Sequence, residues 1–183
     1  SGLVNDAAGF YCDKVAANPG ATLLALGPLT NLADAVEQCP ATMQLLGSVV
    51  VLGGAKAGGN KTPVAEYNFW QDPEAAVRVL SAGLPVRLVP YDAFTQAPVA
   101  LKEVEKLAGS KDLATQFLAP ALVQYATVQV QNTGKALIPD AVAAVLAVSP
   151  GDARVQSGLV KLVLPESLAR GQSVIGFAAS ERI

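Results

Sequence analysis

A chain of 183 residues, 51% of them apolar, is long enough to bury a core and fits one domain. Its formal net charge of −2 excludes the basic surface that nucleic acids or acidic membranes select, and no apolar run approaches the roughly 18 residues of a membrane span. It has no histidine, which excludes a Ser–His or Cys–His nucleophile and any histidine-ligated zinc site.

Ser1 to Asp6 lack the charged and apolar regions of a signal peptide, so a soluble, cytoplasmic protein is the default. Residues 5–18 read as a helix, with Asn5 or Asp6 as cap and Asn18-Pro19-Gly20 as the stop. Cys12 and Cys39 show neither metal spacing nor a multi-bridge framework; they read as buried thiols, with a single disulfide as the alternative. Ala21 to Leu26 is a short apolar run that fits a strand covered on both faces. Gly27-Pro28 turns the chain into a helix over Leu29 to Gln38, and Pro40 to Leu46 adds a helical turn or two. Ser48 to Leu52 is a second buried strand.

Gly53 to Gln71 then reads as one long loop, and a loop of that length in a compact domain is usually functional or disordered. Asp72-Pro73-Glu74 opens the next helix with an N-cap, a proline at the first position and an acid in the first turn; the helix ends at Gly83. Val86 to Pro90 is the third strand, closing at Tyr91-Asp92. Strand, helix, strand, helix, strand at this spacing predicts a parallel sheet with flanking helices, an α/β fold. Beyond it, residues 99–108 and 111–132 read as helices and Asp140 to Ala147 as a short apolar helix. Arg154 to Leu164 and Ser173 to Phe177 read as two strands around a turn at Leu168–Gly171. With no repeat and no linker, residues 1–183 read as one domain.

The loop carries the chemistry. Asn60, Glu66 and Asn68, with Tyr67 between the last two, suit adjacent hydroxyls such as those of a sugar. The loop also follows the carboxyl end of a strand, where open α/β sheets collect their ligands. A lone Glu66 would read as a solvated loop acid; the two amides beside it favour binding. Gly54 to Thr62 is a near miss to a phosphate-binding loop: Asn60 is inserted before Lys61, Pro63 follows Thr62, and no helix begins for about ten residues. Asp72 and Glu74 read as cap and first-turn acid, and Asp140 after Pro139 reads as a helix cap.

Four segments together resemble the nucleoside hydrolases, the calcium-dependent N-ribohydrolases of the inosine–uridine type. They are Leu24 to Ala33, Val49 to Ala76, Pro139-Asp140-Ala141 and Leu168 to Val174, colinear over nearly the whole chain. The resemblance implies that Asn60, Glu66 and Asn68 hold the ribose hydroxyls of a ribonucleoside and that Tyr67 lies beside the sugar. It implies a calcium ion with the Asp140 carboxylate and the Leu26 backbone carbonyl among its ligands, and N-glycosidic cleavage through an oxocarbenium-like transition state.

Two departures qualify the expectation. The family's Asp-rich N-terminal strand and loop, which supplies most calcium ligands and the general base, has no counterpart here, so the chain corresponds to the later two-thirds of the pattern. Pro139 stands where many members carry a histidine, and proline cannot move a proton. The chain alone is therefore expected to be inactive, with no catalytic residue of its own, and to need a missing N-terminal segment or partner chain. The alternative is a catalytically inactive ribose-binding or assembly protein of the same fold. Homo-oligomer formation is open.

Overall fold

The computed structural model describes residues 6–177. They form two compact units. The first takes in the chain up to Asp92 and again from Ala143; the second is Ala93–Val142.

The first unit is built on a parallel sheet of β1 (Thr22–Ala25), β2 (Ser48–Leu52) and β3 (Val86–Val89), in the order β1-β2-β3. Leu23 lies opposite Val49, and Val49 opposite Val86. The central strand has the sequence of a two-face-buried strand, and Val49, Val50, Val51 and Leu52 are all buried. The flanking strand β1 differs from its sequence reading. Leu23, Leu24 and Ala25 are only half-buried, because β1 has β2 as its one ladder partner among the described residues.

Helices α1 (Ala7–Ala17), α2 (Thr30–Gln38), the single turn α3 (Pro40–Met43) and α5 (Pro73–Ser81) flank the sheet, with α4 (Tyr67–Gln71) between loop and α5. The Asp6 carboxylate caps α1 by accepting from Gly9 N at 2.7 Å; Asn5, the other candidate cap, lies outside the described residues. The core joins Leu29, Leu32, Met43, Val49, Val51, Phe69 and Val79. Each such side chain contributes about 2 kcal/mol by leaving water. Cys12 and Cys39 form a disulfide, with Cα atoms 6.1 Å apart, that ties α1 to the junction of α2 and α3.

The antiparallel hairpin β4 (Gly158–Leu162) and β5 (Ser173–Phe177) completes the first unit; Val160 and Leu162 pack against its core. A short helix α6 (Tyr91–Phe94) follows β3. The second unit contains α7 (Leu101–Glu105), a 3-10 turn at Lys106–Gly109 and the long α8 (Leu113–Thr133), around Val104, Ala126 and Ala136. The helix α9 (Pro139–Val148) begins with proline at a first-turn position that has no use for an N–H.

Candidate functional site

Sequence reading leaves residues 53–71 as one loop, but the last five form α4. The reason lies in how the helix start is satisfied. Tyr67 N donates to Asn60 Oδ1 at 2.8 Å. Asn68 N donates to Glu66 Oε1 at 3.0 Å and Phe69 N to Glu66 Oε2 at 3.1 Å. Those are the first free amides of the helix, groups that otherwise lack a partner. Asn60 and Glu66, read from sequence as sugar ligands, are thus also the cap of a five-residue helix.

Glu66 does more than cap. Its Oε2 also accepts from Gly54 N at 3.0 Å, so one buried carboxylate ties the end of β2 to the start of α4. Burial raises its pKa above the ordinary glutamate value, and the amide donors of Asn68, Phe69 and Gly54 pull it partly back. Asn68 is buried beside it. Its Nδ2 donates to the Leu52 carbonyl at 2.9 Å and to the Leu26 carbonyl at 3.2 Å, reaching the carboxyl ends of β2 and β1. Two carbonyl partners fix which end of the amide is nitrogen. The opposite end, Oδ1, makes no bond among the described residues.

Four consecutive amides of the loop are each held by a side-chain oxygen. Gly54 N goes to Glu66, Ala55 N to Ser173 Oγ, and Lys56 N and Ala57 N to the Asp92 carboxylate. Gly54 has φ +74°, and a Cβ there would stand 2.9 Å from the Phe69 ring, so only glycine fits this turn. The arrangement removes the phosphate-loop alternative on physical grounds. Six of the nine amides from Gly54 to Thr62 are already engaged within the chain, and Lys61 instead lies over the Trp70 and Tyr67 rings, 4.4 and 5.7 Å from their centroids.

Tyr67 is exposed, as an aromatic beside a ligand would be. Asn60, Glu66, Tyr67 and Asn68 therefore converge on the start of α4, and the Leu26 carbonyl reaches the same network through Asn68. Asp140 is exposed in the first turn of α9, and Pro139 is the first residue of that helix. Asp140 belongs to the second unit and Leu26 to the first. Among the described residues no three acidic, cysteine or histidine side chains come together as a metal cluster. One carboxylate and one carbonyl fall short of the six to eight oxygens calcium takes, so these two donors alone do not make up a calcium site.

Ser173, Asp92 and Thr62 were not legible as site residues. Thr62 Oγ1 accepts from Ala65 N at 3.0 Å and shapes the loop. Asp72, read as a cap, accepts from Ala75 N at 2.9 Å as expected, and also takes the Thr30 hydroxyl at 2.6 Å. Nothing local marks Ser173, because its loop partner is 118 positions away.

Comparison with known proteins identifies the family. The family model for inosine-uridine preferring nucleoside hydrolase matches residues 3–182. The chain belongs to the nucleoside hydrolase family. The Oryza sativa subsp. japonica protein named "Probable uridine nucleosidase 2" is 40% identical over 130 residues, which is 70% of this chain and 39% of that protein. A solved plant nucleoside hydrolase, the PpNRh1 enzyme, superposes with a TM-score of 0.87 at 31% identity, covering 96% of this chain and 57% of that one. A purine-preferring ribonucleoside hydrolase from Gardnerella vaginalis gives 0.81 at 26% identity, over 96% of this chain and 57% of its own. This nucleoside hydrolase chain thus spans less than two thirds of the length of these relatives. No helix among its described residues is long and apolar enough to cross a membrane.

Proposed function

We propose that the complete protein hydrolyses the N-glycosidic bond of ribonucleosides, and that this chain supplies the part of the site that grips the ribose. The observation that carries the reading is the bonding left over in the network. After its internal bonds, Asn60 keeps its Nδ2 donors, Glu66 keeps acceptor capacity on Oε1, and Asn68 keeps Oδ1. One donor group and two acceptors, rigidly mounted, match a diol and a neighbouring hydroxymethyl group. Tyr67 would lie along the ribose.

Calcium is proposed with the fold family. The Leu26 carbonyl and the Asp140 carboxylate are each proposed as a calcium ligand within its own unit and are to be tested separately; no site shared between the units is assigned. No reaction step is assigned to the ion, since these donors alone are too few. Cytoplasmic residence is the default reading. The Cys12–Cys39 bond weighs toward an oxidising compartment instead.

A second reading has one observation in its favour. Pro139 has no side chain that can move a proton, so a nucleoside-binding protein without turnover fits the same loop. Ribose release by the complete protein with calcium separates the two. Turnover that is lost in Glu66→Ala or Asp140→Ala supports the hydrolase. Ribose binding without turnover supports the binding protein. The 183-residue chain alone is expected to release no ribose, and release by a sample of verified intact mass would overturn that expectation.

A further inference from the structure

Among the described residues, three polar side chains are buried: Glu66, Asn68 and Ser173. The first two belong to the proposed ribose site. The third, the first residue of β5, comes from the far end of the chain and closes on the same loop. Its Oγ accepts from Ala55 N and donates to Ala55 O, each at 2.7 Å. A hydroxyl with a single donor has spent it on one residue and has taken that residue's amide as well. The two contacts hold both ends of Ala55's polar backbone.

The residue before Ala55 is the one that matters to the site. Gly54 N is a donor to the Glu66 carboxylate, and Gly54 O accepts from Tyr91 N at 2.8 Å. The hairpin turn also meets α4 and α5. Gly171 has φ +77°, and a Cβ there would stand 2.6 Å from Trp70 Cα. Arg170 forks onto Glu74 at 2.7 and 2.8 Å.

We infer that Ser173 is a positioning residue for the ribose site: through Ala55 and Gly54 it holds the Glu66 carboxylate in its binding orientation. The inference rests on the ribose-binding reading of Glu66. Ser173 itself touches no substrate. It acts by narrowing the positions open to the carboxylate, and looseness there weakens substrate binding before it affects chemistry.

The test compares Ser173→Ala and Ser173→Thr with the wild type in the complete protein. Amide exchange of Ala55 is expected to rise on the order of tenfold or more in the alanine variant, because both clamp bonds are gone. KM for uridine or inosine is expected to rise about tenfold with kcat little changed, and the threonine variant, which keeps the hydroxyl, to recover the wild-type value. A merely destabilised protein loses active fraction instead, which lowers kcat and leaves KM alone. Unchanged Ala55 exchange, or a fall in kcat without a rise in KM, overturns the inference. So does a threonine variant that melts like the wild type yet binds like alanine. If the alanine variant fails to fold, a threonine variant with wild-type KM and wild-type Ala55 exchange supports the clamp. If the wild type turns over neither nucleoside, the hydrolase reading fails, and Ala55 exchange then decides alone whether Ser173 holds the loop.

Discussion

In the first unit an apolar core encloses a polar knot: Glu66, Asn68 and Ser173 are buried against Phe69, and their partners are backbone amides and carbonyls. In the second, the described buried residues Phe94, Val104, Ala119, Ala126 and Ala136 are all apolar, and the side chains of α8 that bond its backbone do so within one helix turn. The contrast concerns what each region must specify. Apolar contacts tolerate sliding and repacking, whereas a buried hydrogen bond is lost within a few tenths of an ångström. A sugar discriminated by its hydroxyls calls for the second kind of accuracy, and the knot lies where the candidate ligands are.

The largest expected effect breaks the knot directly. Glu66→Ala leaves the amides of Gly54, Asn68 and Phe69 without their acceptor in a buried setting, at a cost of about 3 kcal/mol or more. Urea unfolding of the two proteins measures it. Titration adds a sign. The folded pKa of Glu66 lies above its ordinary value, so the folded state holds the proton more tightly. Glu66's contribution is therefore greatest below the ordinary glutamate range and falls as pH rises from there through the folded pKa. Wild-type stability relative to a non-titrating Glu66→Gln variant should decline across that window, and a rise would overturn the assignment of burial as the dominant cause.

Next comes the covalent tie. Cys12 and Cys39 are 27 positions apart, and closing a loop of that length removes about 3 kcal/mol of unfolded-chain freedom on the entropic account. A reducing agent, or Cys12→Ser with Cys39→Ser, is expected to lower unfolding stability by roughly that amount. Exchange at Gly54 and Phe69 should remain slow at low denaturant, because the tie spans α1 to the α2–α3 junction and not the loop. A selective loosening of the loop on reduction would blur the distinction between scaffold and site.

Much of this was legible in the residues, for an identifiable reason. Val49 to Leu52 is apolar without alternation, and the buried strand stands where that pattern put it. Asp72-Pro73-Glu74 carries a complete helix-start signal, and α5 begins at Pro73. Glu66 was harder. Glutamate is not among the usual capping residues, so the amides Asn60 and Asn68 beside it suggested a ligand and hid a cap, and α4 went with it. The two roles are compatible, since a carboxylate has about four acceptor sites and the knot uses three. Asp92 and Ser173 were beyond reach, because a serine that opens a strand looks the same whether or not a loop 118 positions away needs it. The half-exposure of β1 was also hidden, since an apolar run reports what a strand could bury and not how many neighbours it has.

A smaller effect is expected at the rim of the knot. Arg170 lowers the Glu74 pKa by hydrogen bonding first and by its charge second, but the Glu74 side chain is 49% exposed. Screening reduces such a pair to at most about 1 kcal/mol. Its stabilisation is present above the ordinary glutamate value and is lost as pH falls through the lowered folded pKa, the opposite sign to Glu66. Glu74→Gln should therefore cost little near neutral pH and nothing in strong acid, as thermal melts at two pH values would show.

The smallest effect is expected on α8, and it tests the contrast from the other side. This helix carries no charged residue over its 21 positions, yet Phe117 is 83% exposed and Leu113 79%. A side chain already in water has almost no transfer energy to lose. Phe117→Ser should therefore change stability by no more than about 0.5 kcal/mol, although the same replacement at buried Phe69 would cost several. Phenylalanine and serine also differ little in helix propensity, so no hidden backbone effect offsets the comparison. A loss above about 1 kcal/mol would mean that Phe117 is covered in solution, since only burial gives a phenyl ring that much to lose. Measured in the same buffer as Glu66→Ala, the pair sets the scale. One removes a large apolar group from the surface, the other a small polar group from the interior, and the polar one is expected to matter more.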